Sequence, residues 1–264
     1  MSVWDVYQDR TETRGSTKRA TQLNREIRTI NNKLPDSLSH QSVVIYRGEY
    51  GFNIESDDAK ANAIHQNVAI INSDNLNEKT IISFPNEDIE NGSLVYWMDN
   101  YWLVTERDAN TTVYTKAKMI QCNHLLRWVS IDDEIIEQWC IIEDGTKYLT
   151  GEYEDRHFIV TRGDSRIYMT IARNKETVRL DRDNRFIIDD PESPRPLAYA
   201  LTKPLKLGGS YNGKGVFKFV LQEVVTTDDD KIGEGIADYR QHYVDSSSEP
   251  QPTSENTGGK KVWL

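Results

Sequence analysis

Residues 91–123, NGSLVYWMDNYWLVTERDANTTVYTKAKMIQCN, predict three short β-strands joined by two tight turns. Apolar and polar residues alternate along 101–106 and again along 113–119, and successive side chains of a strand leave opposite faces. Asp99-Asn100 and residues 108–110 separate the runs, and Asp and Asn tolerate the positive φ that short hairpin turns need. Alternation and turns together predict a meander that forms the wall of a small barrel.

Short β runs flank this meander on both sides. The predicted strands are 42–46, 67–71 and 80–84 before it, and 125–128, 135–142, 157–161, 166–172, 177–180, 185–188, 198–202 and 216–224 after it. The polar segment 49–66 predicts a surface loop or a short helix through 59–64. Strands of this length predict a mainly β fold, with two small β-barrel or sandwich modules at 36–140 and 141–225.

One long amphipathic helix is predicted over residues 16–34, with Ser16 as its N-cap and Pro35 ending it. Apolar residues recur at steps of three and four, at Ala20, Leu23, Ile27, Ile30 and Leu34. This spacing makes one narrow apolar stripe on an otherwise charged helix. Such a helix buries little of itself, so we expect it to lie on a sheet or on a neighbouring subunit.

Apolar residues also stand near both ends of the chain. Residues 1–35, the N-terminal arm and helix, begin with an aromatic tip, and residues 226–264 form an acidic tail with the composition of a flexible, disordered linker and an apolar tip. Each tip suits docking into a partner, although packing on its own chain or a frayed end is the alternative. The residues predicted to dock partners are Trp4, Tyr7, Leu23, Ile27, Ile30, Trp263 and Leu264.

The charge of the chain is acidic overall and unevenly spread. The chain has 42 Asp and Glu against 32 Lys and Arg, which gives a net charge of -10 at pH 7. Residues 1–34 hold seven basic and four acidic side chains, so this segment carries about +3 and the remainder about -13. An acidic protein holds nucleic acid poorly, because phosphate affinity comes from Lys and Arg. The basic segment indicates docking on an acidic neighbour, such as another copy of the chain; a solvated basic helix face is the alternative.

The sequence carries no recognisable catalytic or metal-binding motif. The five histidines stand far apart, and Cys122 and Cys140 form neither a CxxC pair nor a Cys/His cluster. The glycine-rich stretch 208–215 lacks a phosphate-binding lysine in the required frame, so it predicts a hairpin loop. No secretory signal or membrane-spanning apolar run is seen, and we expect folding in the cytoplasm, reduced thiols and no membrane partner.

The motif search therefore favours a binding or structural protein over an enzyme, with no cofactor and no metal. A carbohydrate-binding or receptor-binding module is the main alternative, in which exposed aromatic residues would stack on sugars. The candidates for stacking include Trp97, Trp102, Trp128 and Trp139. A hydrolase that uses a pair of the abundant carboxylates is a further alternative.

Residues 92–105, GSLVYWMDNYWLVT, resemble the strand pair of small β-barrel head-closure and head-to-tail joining proteins of tailed bacteriophages. This likeness covers residues 68–122. More broadly, most of residues 1–243 resemble structural proteins of phages that infect Gram-positive gut bacteria. The stretches that carry the broader likeness are Trp4-Asp5-Val6-Tyr7, Asp99-Asn100-Tyr101-Trp102, Asp144-Gly145-Thr146-Lys147-Tyr148 and Gly235-Ile236-Ala237-Asp238-Tyr239.

The resemblance implies a virion component that is made and assembled in the cytoplasm of a bacterial host. In that family, rings of subunits form the neck between the portal and the tail, and flexible termini lock adjacent rings together. We therefore expect a homo-oligomeric ring that contacts portal or adaptor and tail proteins and lets DNA pass without specific binding. The second β module lies outside the single-barrel pattern, so a tail or capsid-surface position is the alternative.

Overall fold

The computed structural model describes residues 4–8, 15, 17–108, 113–145, 166–189, 193 and 196–239. Within them the fold is mainly β with an N-terminal helix, which confirms the predicted fold class. The predicted strand at 157–161 and the predicted flexible tail beyond residue 239, with Trp263 and Leu264, lie outside the described residues.

Six antiparallel strands close into a first barrel. They are β1 (His40–Tyr46), β2 (Ile64–Asn72), β3 (Glu78–Ser83), β4 (Leu94–Trp97), β5 (Asn100–Arg107) and β6 (Lys116–Gln121). Their order around the barrel is β1-β2-β3-β6-β5-β4, and β1 pairs with both β2 and β4, which completes the closure. The interior is filled by buried side chains such as Val68, Ile81, Val95, Val104 and Met119.

The predicted meander forms β4, β5 and β6 of this barrel, with two differences at its turns. Met98 and Asp99 take positive φ angles of 48° and 58°, so the first turn lies one residue earlier than predicted and Asn100 begins β5. The third strand begins at Lys116 rather than at residue 113. Just before it, the Thr115 amide donates to the Ser83 hydroxyl at 2.9 Å, which is a side-chain bond and not a bond of the strand ladder.

A seven-stranded antiparallel sheet forms a second, nearly closed barrel. Its strands are β7 (His124–Val129), β8 (Ile135–Asp144), β9 (Arg166–Ala172), β10 (Arg185–Ile187), β11 (Ala198–Leu205), β12 (Ser210–Tyr211) and β13 (Lys214–Val224). The order is β10-β11-β13-β9-β8-β7, and the short β12 pairs with β13. The two ends of the sheet approach each other where the His124 imidazole hydrogen-bonds to the backbone of Ile187. Phe186, Phe217 and Phe219 are buried in its core.

Both strands between residues 124 and 144 belong to this second sheet, whereas the sequence analysis placed residues up to 140 in the first module. β7 pairs with β8, and β8 pairs with β9. They cannot add to the first barrel, because the β1–β4 pairing has already closed it. The limits of independently folding domains stay a prediction.

The helices are α1 (Lys18–Lys33), α2 (Asp57–Ala61) and α3 (Lys175–Arg179), and residues 4–8 are also helical. The predicted long helix is confirmed as α1, but its N-cap is Thr17, whose hydroxyl accepts the Ala20 amide at 3.1 Å. Ser16, the predicted cap, lies outside the described residues.

The segment predicted as a strand at 177–180 is helix α3. The Asn174 side chain accepts the amides of Glu176 and Thr177, and the Thr177 hydroxyl accepts the Asn174 amide, which makes a capping box. Three backbone amides are satisfied in this way only if the chain turns into a helix, and this outweighs the β preference of Thr177 and Val178.

Residues 226–239, assigned from the sequence to the acidic tail, pack against the second sheet. The Asp230 side chain is fully buried and forms a two-point ion pair with Arg185 of β10, at 2.9 Å and 3.0 Å. The same carboxylate accepts the backbone amides of Thr227 at 2.7 Å and Asp238 at 2.9 Å. The acidic run therefore contains a structural ion pair, so it is not simply a solvated tail.

The two sheets share a small core at their junction. Leu94 and Leu103 of the first barrel pack with Ile141, Ala172 and Val216 of the second sheet. Beside this core Gly92 has φ +85°, and a Cβ there would clash with the carbonyl oxygen of Gly215. Glycine at residue 92 thus permits the close backbone approach between the two sheets.

We expect Gly92→Ala to destabilise the fold by about 2–5 kcal/mol, since it combines a left-handed backbone with overpacking against another backbone. Urea unfolding followed by tryptophan fluorescence measures the change. Gly208→Ala is the matched control, because an added Cβ there meets no atom within 4 Å. Equal stabilities of the two variants would contradict the close approach.

The ion pair of Asp230 gives a pH-dependent prediction. Burial opposes ionisation of this carboxyl, but the two backbone amides and Arg185 outweigh it, so the pKa of Asp230 is lowered from its ordinary value. A lowered pKa stabilises the fold above the unfolded-state pKa, about 3.9, and this contribution is lost as the pH falls through the folded-state pKa.

Asp230→Asn should therefore lower the free energy of unfolding by about 1.5–3 kcal/mol at neutral pH, and the deficit should shrink as the solution is acidified below the unfolded-state pKa. Denaturant titrations of both proteins across this range test it. Asp228→Asn, at an exposed position of the same acidic run, is the control. A deficit that stays constant with pH would refute the role of the carboxylate charge.

Candidate interaction surface

Helix α1 presents its apolar stripe without burying it in either barrel. No residue of α1 is buried, and Leu23, Ile27 and Ile30 are each partly exposed. None of the four hydrophobic clusters of the described residues includes a side chain from this helix. The stripe predicted from the sequence therefore exists as a continuous feature, and its docking role stays a prediction.

The same helix is strongly basic. It carries five cations, Lys18, Arg19, Arg25, Arg28 and Lys33, and one carboxylate, Glu26. Among the described residues, no ion pair joins these cations to the acidic body. Their charge is thus available to a partner of opposite sign.

A groove of about 760 Å³ follows one side of α1. Thr21, Arg25 and Ile30 line it from the helix, and Tyr114 lines it from the connection between β5 and β6. Most of its lining is polar, with two cations and one carboxylate, and it includes neither Leu23 nor Ile27, so the groove follows the polar side of the helix rather than the apolar stripe.

The aromatic arm that precedes α1 is exposed. Trp4 is 71% exposed and Tyr7 is 61% exposed, and their rings meet edge to face with centroids 6.0 Å apart. The structure brings the arm residues together with each other, but no described contact joins them to Leu23, Ile27 or Ile30. The predicted docking residues therefore form two separate groups, the arm and the stripe.

The tryptophans proposed for sugar stacking are mostly unavailable. Trp102 and Trp128 are buried in the two barrel cores, whereas Trp97 and Trp139 are partly exposed. Trp139 stacks on Tyr101 with centroids 4.8 Å apart, and Tyr101 meets Tyr96 at 5.0 Å. This aromatic ladder crosses from β4 and β5 to β8. Sequence alternation could not reveal it, because its members come from two different sheets.

Among the described residues, metal-ligand side chains do not cluster, and burial shifts the pKa values of two cysteines and one histidine. No three His, Cys, Asp or Glu side chains of those residues lie close enough to hold a metal ion. Burial raises the pKa of the Cys122 and Cys140 thiols, and burial lowers the pKa of His124. Each shift favours the neutral group, so none of the three has the charge state of an activated nucleophile or acid.

Part of the chain matches a known protein family. Residues 25–121 match the family described as YomX N-terminal domain, and YomX is a protein of a Bacillus phage region. The matched segment contains the second half of α1 and the complete first barrel, and it stops at the last residue of β6. No curated protein and no solved structure matches the chain. The match indicates a phage-related protein.

Among the residues that the structure describes, no helix has the length and apolarity needed to cross a bilayer.

The two thiols should not react in the native protein. Because the thiolate is the reactive form and burial disfavours it, iodoacetamide should label neither Cys122 nor Cys140 until the protein unfolds. Mass spectrometry of labelled native and urea-unfolded protein measures this, with Tyr211→Cys as a surface thiol that reacts at once. Rapid labelling of Cys122 or Cys140 in the native protein would contradict this prediction and support a nucleophilic role for that thiol.

Proposed function

We propose that this phage-related chain is a structural component of a tailed-phage virion, without enzymatic activity. Its place would be the neck, where copies form a homo-oligomeric ring between the portal and the tail. The observation that supports this most directly is helix α1, which combines an uncovered apolar stripe with a net excess of cations.

The stability of α1 argues for a partner. A 16-residue helix is marginal in water by itself, and most helical stability in proteins comes from packing of an apolar face. Full burial of an aliphatic side chain contributes about 1.5–3 kcal/mol, and Leu23, Ile27 and Ile30 realise only part of this in the single chain. A neighbouring subunit that covers the stripe would supply the rest.

Charge identifies the kind of neighbour. Residues 1–34 carry about +3 and the remainder of the chain about -13, so another copy of the same chain offers an acidic surface to the basic helix. Opposite charges on the two faces of a repeated contact favour one register and speed association. An acidic ring interior would also let DNA slide through, because few cations would hold its phosphates.

The extent of the family match fits this assignment. Ile27 and Ile30 lie inside the matched segment with the complete first barrel. A closed barrel offers no strand edge for pairing with another chain, so association has to use side chains. The second half of α1, in which no residue is buried, is one such surface on the matched segment. At a tail or capsid-surface position, the same helix would contact other virion proteins.

A carbohydrate-binding or receptor-binding module is the second candidate. It is favoured by the partly exposed aromatic ladder of Tyr96, Tyr101 and Trp139. The Tyr101 and Trp139 rings cover part of each other, which leaves less ring face for a sugar. This alternative predicts saturable glycan binding by the monomer, and a neck ring does not.

We expect Ile27→Asp to weaken ring assembly or virion incorporation by at least about tenfold, because it places a charge in an apolar contact. Mass photometry of the purified protein, alone and with virion lysate, measures assembly, and circular dichroism checks the β-sheets. Asn32→Asp adds the same charge at an exposed position on the helix face opposite the stripe and should assemble normally. Infectious particles that contain Ile27→Asp at normal copy number would refute the proposal.

A further inference from the structure

Helix α1 is basic on the side opposite its apolar stripe. Each residue turns an α-helix by about 100°, so Lys18 lies about 180° and Arg25 about 200° around the helix from Ile27. Arg28 lies on the same side, about 60° from Arg25. We call this side the basic face; its exposed side chains are Lys18, Thr21, Gln22, Arg25, Arg28, Thr29 and Asn32.

The cations of the basic face make no ion pair with other described residues. Elsewhere in the described chain cations are paired, for example Lys118 with Glu78 at 2.8 Å and Arg127 with Glu137 at 2.9 Å. No described ion pair includes a cation of α1. The fold thus neutralises part of the acidic body internally and leaves the charge of the basic face to an external partner.

Short side chains keep the basic face open between its cations. The Thr21 hydroxyl donates to the Thr17 carbonyl at 3.0 Å, and the Thr29 hydroxyl donates to the Arg25 carbonyl at 2.8 Å, so both stay against the helix backbone. The groove of about 760 Å³ and a second one of about 460 Å³ follow this face, and Arg25 lines both. An elongated ligand can therefore approach the helix between the long cationic side chains.

A neighbouring copy that covers the apolar stripe does not reach the basic face. The two surfaces lie on opposite sides of a helix that is about 10–12 Å across with its side chains. Arg19 lies only about 20° around the helix from Ile30, so it can pair with an acidic neighbour at the stripe. The basic face is left for a different partner.

The spacing of the cations favours a nucleic-acid backbone as that partner. Lys18, Arg25 and Arg28 spread over about 15 Å of the helix at unequal intervals. Duplex DNA carries a negative charge about every 1.7 Å along its axis, so each cation finds a phosphate without a matched arrangement. An acidic protein surface would have to place its carboxylates at these particular intervals. The Gln22 and Asn32 amides between the cations are also of a type that contacts phosphate oxygens.

The same geometry disfavours an anionic membrane surface. A helix that lies on a bilayer inserts its apolar side, and its cations reach the headgroups when they flank that side. With the stripe inserted, Lys18 and Arg25 would point away from the bilayer into water.

We propose that the basic face of α1 binds the phosphate backbone of a DNA duplex without sequence preference. The contact is weak and sensitive to salt, because only three cations replace counterions and the rest of the chain is acidic. It is therefore compatible with DNA that moves past the protein. The inference goes beyond the proposed function, since a single copy of the chain can make this contact.

The salt dependence of binding counts the phosphate contacts. The full-length protein is titrated into a fluorescein-labelled DNA duplex of mixed sequence, and anisotropy gives the binding constant K at each salt concentration. Three contacts predict a slope of log K against log salt of about -2.7, which is an affinity loss of about 40-fold between 50 and 200 mM salt. Arg25→Gln combined with Arg28→Gln should reduce the slope to about -0.9 and the loss to roughly fourfold.

Two further proteins make this test specific. Arg182→Gln combined with Lys203→Gln removes the same charge from exposed positions outside α1 and should keep the slope of the unmodified protein. Glutamine and arginine have similar helix propensities, and circular dichroism checks that α1 is retained. Asn32→Asp adds a negative charge to the basic face and should weaken duplex binding several-fold while ring assembly stays normal.

The outcomes separate this inference from its alternatives and from the ring. No duplex binding at about 50 mM salt, or equal slopes for the Arg25→Gln/Arg28→Gln and control proteins, would overturn it. If the Arg25→Gln/Arg28→Gln protein loses self-assembly and the unmodified protein leaves the duplex unbound, the basic face binds an acidic surface of a second copy instead. Binding to anionic phospholipid vesicles without binding to the duplex would assign it to a membrane. Ile27→Asp should lose ring assembly and keep the duplex slope, so failure of the ring and failure of the DNA contact are distinguishable.

Discussion

The pairing of β1 with both β2 and β4 closes the first barrel, and the arrangement of the other elements depends on this closure. Val44 lies opposite His65 on one side and opposite Tyr96 on the other. A closed sheet has satisfied the backbone amides and carbonyls that an edge strand would expose. The closed ladder of the first barrel therefore leaves no edge strand for pairing with another chain.

Closure also determines where the second sheet can attach. The outer faces of β4 and β5 contribute Leu94 and Leu103 to the shared core, and Gly92 lets the two backbones approach. The second sheet contacts the β1–β2 connection at Asn53 and also reaches β5, where the Tyr101 ring stacks on Trp139, whereas the Leu76 and Met98 side chains stay exposed.

The family match and the structure divide the chain at the same place. The match ends at Gln121, the last residue of β6, and the second sheet begins at His124. The matched segment thus consists of the second half of α1 and the complete first barrel. The second sheet is joined to it through an apolar junction. Only the second half of α1 lies in the matched segment, and the helix stands outside both cores.

Features set by neighbouring residues could be predicted from the sequence. The spacing of Leu23, Ile27 and Ile30 determined the helix and its stripe, and alternation determined the meander to within a few residues at each end. The capping box at Asn174 is also a local signal. However, its third residue, Thr177, and the following Val178 are β-branched and therefore favoured the prediction of a strand.

Pairings between distant segments were decided only by the tertiary structure. Asp230 looked like part of a solvated acidic run until Arg185, 45 residues away, was found beside it. Leu38, Leu76 and Met98 are far apart in the sequence and come to the same end of the first barrel only because of the way its strands pair. Periodicity, capping and turn chemistry act over a few residues, whereas closure and ion pairing depend on which distant groups the whole fold brings together.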